Sequence, residues 1–483
     1  MIPEAMNRII PLLLFLSVAI IQPIAAQQIT MSEDIPLRND VAYELLGEFK
    51  GRVLLFRDQI SKYEVQGFDQ RLRPSWSKIL TLDKKNPKVI GSTHSRNDFT
   101  LIYHYRDQGN TILKAAKFDP GANMIDSATI KNLGSVFFTP DFELAFSEDR
   151  SKMLIYYIER QSILHAFVFD AAGFKLLWEK SVAPNGFSFF EDFLQVVLDN
   201  DGNMCLIFEK DKFLARKDGH HYHIISVIGA EDRLTQFQAP LEGKLTYDVL
   251  FTFDNLNDRL VAAGLYSDKA GDRASGYFVL KIDPLQRESP FLRFESFNDL
   301  FVSNLIGKEV EKNKGVTELS VREIVLRRDG GVLMIAERIR EYERRLGAPN
   351  RVSFDGVGRF IVDYYYEDIV ALSIHPDGRA HWETILPKKQ YSQDDGGVYS
   401  SYFLFKTPEN LRFLFNDEIR FENTVSEYRL NGAGAFERRS LLNTEKLEVR
   451  LRFRDAIQVS ADALVVPSER RNRLRLVKIT FED

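Results

Sequence analysis

The chain has 483 residues, of which 44% are hydrophobic, 28% charged and 12% aromatic; 64 basic residues stand against 69 acidic ones, a formal net charge of −5. That balance lacks the basic footprint that neutralises a phosphate backbone, so nucleic acid is excluded as the expected partner. Phe (37) and Tyr (18) are abundant while Gly and Pro are moderate, which favours strands over helix bundles.

Residues 1–26 read as a signal peptide. Arg8 gives a positive start, and Ile9 to Ile21 is an apolar run of 13 residues, too short to span a bilayer. A polar break at Gln22-Pro23 precedes the small residues Ala25-Ala26, which suit a signal peptidase, and Gln27 is the expected mature start. An N-terminal anchor is the alternative, disfavoured by length. No cysteine follows the run, so nothing supports lipidation, and no transmembrane segment is expected after cleavage. Residues 27–483 are expected to form a single exported domain, periplasmic or extracellular. Cys205 is the only cysteine, in the apolar run Met204–Phe208, and reads as a small buried hydrophobe.

A repeat then runs along the chain. Apolar strand ends followed by turn residues occur at Phe68-Asp69, Phe118-Asp119, Phe169-Asp170, Ile228-Gly229, Ile282-Asp283, Ile374-His375 and Leu430-Asn431, spaced by 50, 51, 59, 54, 92 and 56 residues. Ile479 falls 49 residues further on. The turns carry Asp, Asn, Gly and Pro, which pre-set φ or tolerate positive φ. Trp76, Trp178 and Trp382, all three tryptophans of the chain, follow their strand end by 8 or 9 residues, as does Phe237. Two further strands precede each such hairpin, as in Phe142–Ser147, Met153–Ile158, Leu164–Phe169 and Leu176–Lys180. Four antiparallel strands per repeat of about 50 residues define a propeller blade. The expected fold is an all-β propeller of eight four-stranded blades, with seven as the alternative. The last repeat, with Val449–Arg454, Ala463–Val466 and Leu474–Phe481, lacks a fourth strand, which the mature N-terminal stretch Gln28–Glu33 is expected to supply, closing the ring.

Two insertions depart from the rhythm and account for the long spacing. Residues 296–315 are polar and helix-compatible. Residues 339–360 carry Arg340, Arg344, Arg345, Gly347 and Pro349 and read as a charged hairpin loop. Both flank the sixth blade, and long insertions in a regular scaffold are where function collects.

The runs Gly330–Glu337 and Tyr364–Val370, continuing through Trp382, Pro387-Lys388-Lys389-Gln390, Asp395-Gly396-Gly397 and Phe413–Asp417, resemble a group of exported propeller-like proteins of Bacteroidota. The resemblance covers about a quarter of the chain specifically; that group has no assigned activity, so it implies no site residues. Val168–Gly173 followed by Trp178 is similar to the docking repeat of eight-bladed quinone-dependent dehydrogenases, a likeness that concerns fold alone because no quinone site or haem-attachment motif accompanies it.

The densest polar and aromatic constellation is Tyr364, Tyr366, Asp368, Lys388, Asp394, Asp395 and Tyr399. Rings that stack on apolar faces beside carboxylates that take hydroxyl or amine hydrogen bonds suit a carbohydrate or peptide ligand; the alternative is tyrosines packed between blades and charges solvating turns. His221 and His223 would share one face of a strand at a spacing seen in metal sites, but no third ligand is evident, and a polar strand start is the simpler reading. Asp199–Asn203 has its glycine at the fourth position, not the sixth, and reads as a hairpin turn rather than a calcium loop. There is no H-E-x-x-H, no G-x-S-x-G and no phosphate-binding loop, and no cofactor is expected. The function expected is a binding or scaffold module for a protein or glycan of the envelope or exterior. The alternative is a hydrolase or lyase acting on polysaccharide or peptide through carboxylates at the central channel.

Overall fold

The computed structural model describes residues 27–83, 86–269, 271–308, 315–345, 360–417, 419 and 424–481. Residues 1–26, on which the expected signal peptide falls, 309–314 of the first insertion and 346–359 of the second lie outside them. The described chain forms eight antiparallel sheets. Seven blades span 40–80, 88–132, 143–182, 193–240, 245–296, 319–393 and 403–442, and the eighth combines 457–480 with the N-terminal strand.

Each blade shows why its sequence forms strands. The two middle strands are nearly continuous apolar runs, such as Arg52–Gln59, because neighbouring blades cover both their faces. The outermost strand alternates, as in Pro74–Leu80, because one face meets solvent. Buried side chains gather into eight cores, each drawing on two adjacent blades. One of them joins Val465, Leu474 and Leu476 of the eighth blade to Leu45, Val53 and Leu55 of the first, so the ring is closed. Closure uses the N-terminal strand Gln28–Met31, paired antiparallel from Gln28↔Thr480 to Met31↔Val477.

All eight apolar strand ends of the repeat fall at or near the end of a third strand. The turn that follows is built by a side chain. Asp119 Oδ1 accepts from the amides of Gly121 (2.8 Å) and Asn123 (2.9 Å). Asp69, Asp283 and Asn431 cap their turns in the same way. The three tryptophans occupy the outermost strands. Trp178 and Trp382 reach the next blade, donating from Nε1 to Gly202 O (2.8 Å) and Gly432 O (3.0 Å). Trp76 differs, covering Gly67 of its own blade.

Two local expectations change, and the helix expected in the first insertion is present. Val449–Arg454 is not the inner strand of the last blade: it carries an isolated bridge at Leu451 and a 3₁₀ turn Phe453–Asp455, and the inner strand is Ile457–Gln458. Alternate residues Val449, Leu451 and Phe453 bury into the core between blades seven and eight, and that alternation imitates a strand. The first insertion does contain a helix, Asp299–Ile306 (α1), capped by Asn298 and ended by Gly307 in the left-handed region. The second is not a loop over its described part. Its flanking strands Val332–Arg345 and Phe360–Ile374 stay paired as far as Arg345↔Phe360, making an arm that outruns the blade.

In an antiparallel blade, the turns between second and third strands and the links between blades leave from one end of the ring; the remaining turns leave from the other. The arm and α1 therefore share the first of these, called here the linker end.

Candidate functional site

The arm is a three-stranded ribbon, because Gln390–Gln393 adds to its edge from Asp363↔Gln393 to Tyr366↔Gln390. Strand alternation gives it two unlike faces. One bears Arg340, Tyr342, Arg344, Asp363, Tyr365 and Tyr391. There the rings of Tyr365 and Tyr391 lie 5.1 Å apart, Arg340 sits 4.4 Å from the Tyr365 centroid, and Arg344 Nε donates to Asp363 Oδ2 at 2.6 Å. These bonds hold the Asp363 carboxyl below the usual carboxylate range, Arg344 contributing most.

The opposite face carries Tyr364 and Tyr366. The structure brings Tyr366, Asp368 and Lys388 together at the base of the arm. Lys388 is fully buried: its Nζ lies 2.7 Å from Glu337 Oε1 and donates to Tyr366 O (3.0 Å) and Gln390 Oε1 (2.8 Å). Burial lowers its pKa, opposed by Glu337. Asp368 accepts from the Lys388 amide (3.3 Å) and meets Arg338 at 3.5 Å, and burial raises its carboxyl above the usual range. Asp394 is set apart, closing a reciprocal pair with Val362 through its own amide and its Oδ1. Asp395 and Tyr399 form a second group: Asp395 caps Gly397 N (2.9 Å), Arg450 lies 3.6 Å from its Oδ2 and 3.8 Å from the Tyr399 centroid, and Tyr399 donates to Glu469 O (3.1 Å). Six of the seven residues thus split into a base, a turn and a link to the eighth blade, Tyr364 stands on the arm itself, and the Lys388 charge is enclosed within the protein.

His221 and His223 share a strand face. His221 Nδ1 lies 2.7 Å from Gly219 O, and His223 stacks on Phe187 at 4.4 Å. Burial lowers the His223 pKa. Among the described residues no group of three or more His, Cys, Asp or Glu gathers as a metal site. Asp199–Asn203 is the hairpin turn expected, with Asp199 Oδ1 accepting from Asp201 N and Asn203 N.

Two features were not found from the sequence. The first is a cavity of about 900 Å³ on the ring axis, lined by inner strands and turns of blades seven, eight, one, two and three. Its polar lining includes Glu44, Glu48, His94, Arg96, Glu148, Asp149, Arg150, Arg454 and Asp455. Glu44 faces the channel solvent yet is ringed by protein, and that enclosure raises its pKa against the opposing Ser92 hydroxyl (2.9 Å) and Arg150. At the end away from the linkers, the first turns of three consecutive blades are tied together. Asn255 of blade five donates to Glu148 of blade three (2.9 Å), and Asn200 joins Asp149 to Asn255.

The second is an asymmetry of exposed apolar groups. Among the described residues fourteen large apolar or tyrosine side chains are exposed. Val41, Ile60, Ile79, Phe137, Phe138, Phe190, Phe213, Leu300 and Tyr342 lie in segments at the linker end, and Met124, Ile125, Leu234, Leu256 and Phe436 at the other; the most exposed, Phe137, Ile60 and Phe138, are all at the linker end. Phe137 and Phe138 form an edge-on pair at 4.6 Å.

No protein-family model and no curated protein matches the chain. Among solved structures it is similar to Porphyromonas gingivalis dipeptidyl peptidase 4, at 9% identity over 90% of this chain and 56% of that one, TM-score 0.46. It is also similar to the β-propeller domain of the Trilobed protease from Pyrococcus furiosus (11% identity, 83% and 98% covered, TM-score 0.36). A third is TolB from Acinetobacter baumannii (11% identity, 82% and 79% covered, TM-score 0.29). At such identities the likeness concerns the propeller fold and carries no argument about activity.

Proposed function

We propose that this propeller is an exported binding module whose partner is a protein of the cell envelope or exterior, docked on the linker end of the ring. The supporting observation is the asymmetry just described. A single exposed phenylalanine means little, since much of any protein surface is apolar. Nine of fourteen such groups at one end, the most exposed phenylalanines among them, beside an arm with a face of tyrosine and arginine, match the composition of protein-docking surfaces, where aromatic residues and arginine are enriched.

A photo-crosslinking amino acid placed at Phe138 or Tyr342, and as a control at Leu256, tests this in the native envelope. Discrete protein adducts from the two linker-end positions, absent from Leu256 and reduced by substituting Phe137→Ser, support the reading. Equal labelling from both ends overturns it. So does degradation of envelope glycan or peptide by the purified protein without any adduct, which favours the hydrolase or lyase alternative.

A further inference from the structure

We infer that the axial cavity is a binding site for an oligo-anion carrying several carboxylates, of the uronic-acid oligosaccharide or polycarboxylate type. This site lies inside the ring, apart from the linker-end surface proposed above for protein docking.

The charges that line the cavity differ in what already holds them. Glu48 is paired with Lys478 at 2.8 Å, and Asp455 with Arg452 at 2.6 Å. Glu44 accepts from Ser92 Oγ (2.9 Å), Asp149 from Ser147 Oγ (2.7 Å) and Ser151 N (2.9 Å), and Glu148 from Asn255; these three carboxylates are oriented by neutral donors and keep their charge. The three arginines of the lining are different. Arg96, Arg150 and Arg454 form no ion pair and donate no side-chain hydrogen bond to any described residue, although all three line one cavity. Two of them are held without their donors being used. Arg150 lies 5.1 Å from the Phe146 ring centroid and Arg454 4.9 Å from that of Tyr366. A ring fixes a guanidinium through its face and leaves the in-plane N–H groups free, the geometry that takes a carboxylate through two parallel bonds. Three such groups in a space of about 900 Å³ fit a ligand of a few sugar units or fewer with two or three anionic groups.

Arg454 also links the cavity to the arm, since Tyr366 stands at the arm's base. Anion binding at Arg454 therefore acts on a side chain that packs directly against the Lys388–Glu337 pair.

The test is calorimetric titration of the mature protein with a galacturonate trisaccharide, with the same trisaccharide reduced at its carboxyls, and with citrate. The expected result is binding of the acidic trisaccharide, at least tenfold weaker in Arg150→Gln and in Arg96→Gln, with Arg150→Lys intermediate because charge remains but the bidentate fork is lost. Circular dichroism and the melting midpoint of each variant check that the fold is intact. Citrate binding with the same arginine dependence, in the absence of trisaccharide binding, assigns the site to free polycarboxylates and supports the shared chemistry. Equal affinity for the reduced trisaccharide, affinities unchanged in the arginine variants, or no binding of either anion at millimolar concentration overturns the proposal.

Discussion

Lys388 Nζ lies 2.7 Å from Glu337 Oε1, and neither side chain has any solvent-accessible surface. The pair joins the inter-blade link after the sixth blade to that blade's second strand, below the base of the arm. Ser401 Oγ also donates to Glu337 Oε2 at 2.6 Å, which brings the start of the seventh blade into the same network. Removing one partner leaves a buried charge uncompensated, a cost of about 3–5 kcal/mol. Lys388→Met and Glu337→Gln are therefore each expected to lower the urea unfolding midpoint strongly. The double variant Lys388→Met/Glu337→Leu is expected to recover part of the loss, because no charge is left uncompensated, while Ser401 Oγ and Tyr366 O still lose the partner they had. Equal losses in single and double variants would show that volume, not charge pairing, sets the stability here.

Trp178 and Gly229 define how one blade seats on the next. The indole of Trp178 occupies the space a Cβ on Gly229 would need, while its Nε1 bonds to Gly202 O. Gly229→Ala is expected to cost roughly 1–3 kcal/mol through overpacking. Trp178→Ala is expected to cost about 3–5 kcal/mol through the lost ring. In the double variant the alanine methyl meets no indole, so the two costs should sum to more than the cost observed, a coupling that a double-mutant cycle in urea measures directly. Additive costs would place the indole elsewhere.

The blade period was legible because third strands end in an apolar residue that five of the eight follow with a self-capping Asp or Asn (Asp69, Asp119, Asp170, Asp283 and Asn431), and both signals are local. The tryptophan position was legible for the same reason. Glu337 left a readable trace as well: a carboxylate directly after the buried run Val332–Ala336 calls for a buried partner, although sequence alone does not name Lys388. The cavity was not legible. Arg96, Arg150 and Arg454 come from the second, third and eighth blades, and only the closure of the ring brings them to one space. Recurrent bulges in the inner strands, at Leu45/Gly47, Val89/Gly91, Phe193/Gln195, Thr246/Asp248 and Val321/Glu323, were likewise hidden, because one extra residue leaves no compositional mark. The arm was read as a loop because its charges, Arg340, Glu341, Glu343 and Arg344, are those of a solvated strand pair as much as of a loop.

The N-terminal strand supplies the outer edge of the eighth blade, with Ile29 and Met31 packed against its core. Removing residues 27–33 takes away about four backbone hydrogen bonds at roughly 1 kcal/mol each, together with two partly buried apolar side chains. It also bares the strand Arg473–Thr480 as an unpaired edge. The expected outcome is a lower melting midpoint and concentration-dependent association seen by light scattering. Ile29→Asp, which keeps the backbone pairing, is expected to lower the midpoint without baring the edge, so it should remain monodisperse. A truncated protein as stable and as monodisperse as the full ring would mean that this strand does not hold the closure.

Glu44 gives the axial cavity a pH response whose sign can be worked out. Enclosure by the ring raises its pKa above the usual carboxylate range, against the Ser92 hydroxyl and Arg150. His94 shifts the other way, lowered first by burial and then by Arg150. Among the neighbouring acids, Glu48 is paired with Lys478, and Asp149 stays ionised because its bonds to Ser147 and Ser151 outweigh desolvation. As pH falls, Glu44 takes up a proton earlier than an ordinary carboxylate and loses its negative charge, and protonation of His94, delayed by burial, adds a positive one; both changes favour an anion beside Arg150. Uronate carboxyls stay ionised while Glu44 takes up its proton, since carboxyl groups of this kind titrate at about 3.5. Affinity for an acidic trisaccharide should therefore rise as pH falls, by about fivefold for one unit charge worth ~1 kcal/mol at close range in water. Glu44→Gln should bind more tightly than the wild type at pH 7.5 and respond less to acid, while Glu44→Gln/His94→Gln should be flat above pH 5. A wild-type profile that is flat, or that weakens towards acid, would remove Glu44 from the site.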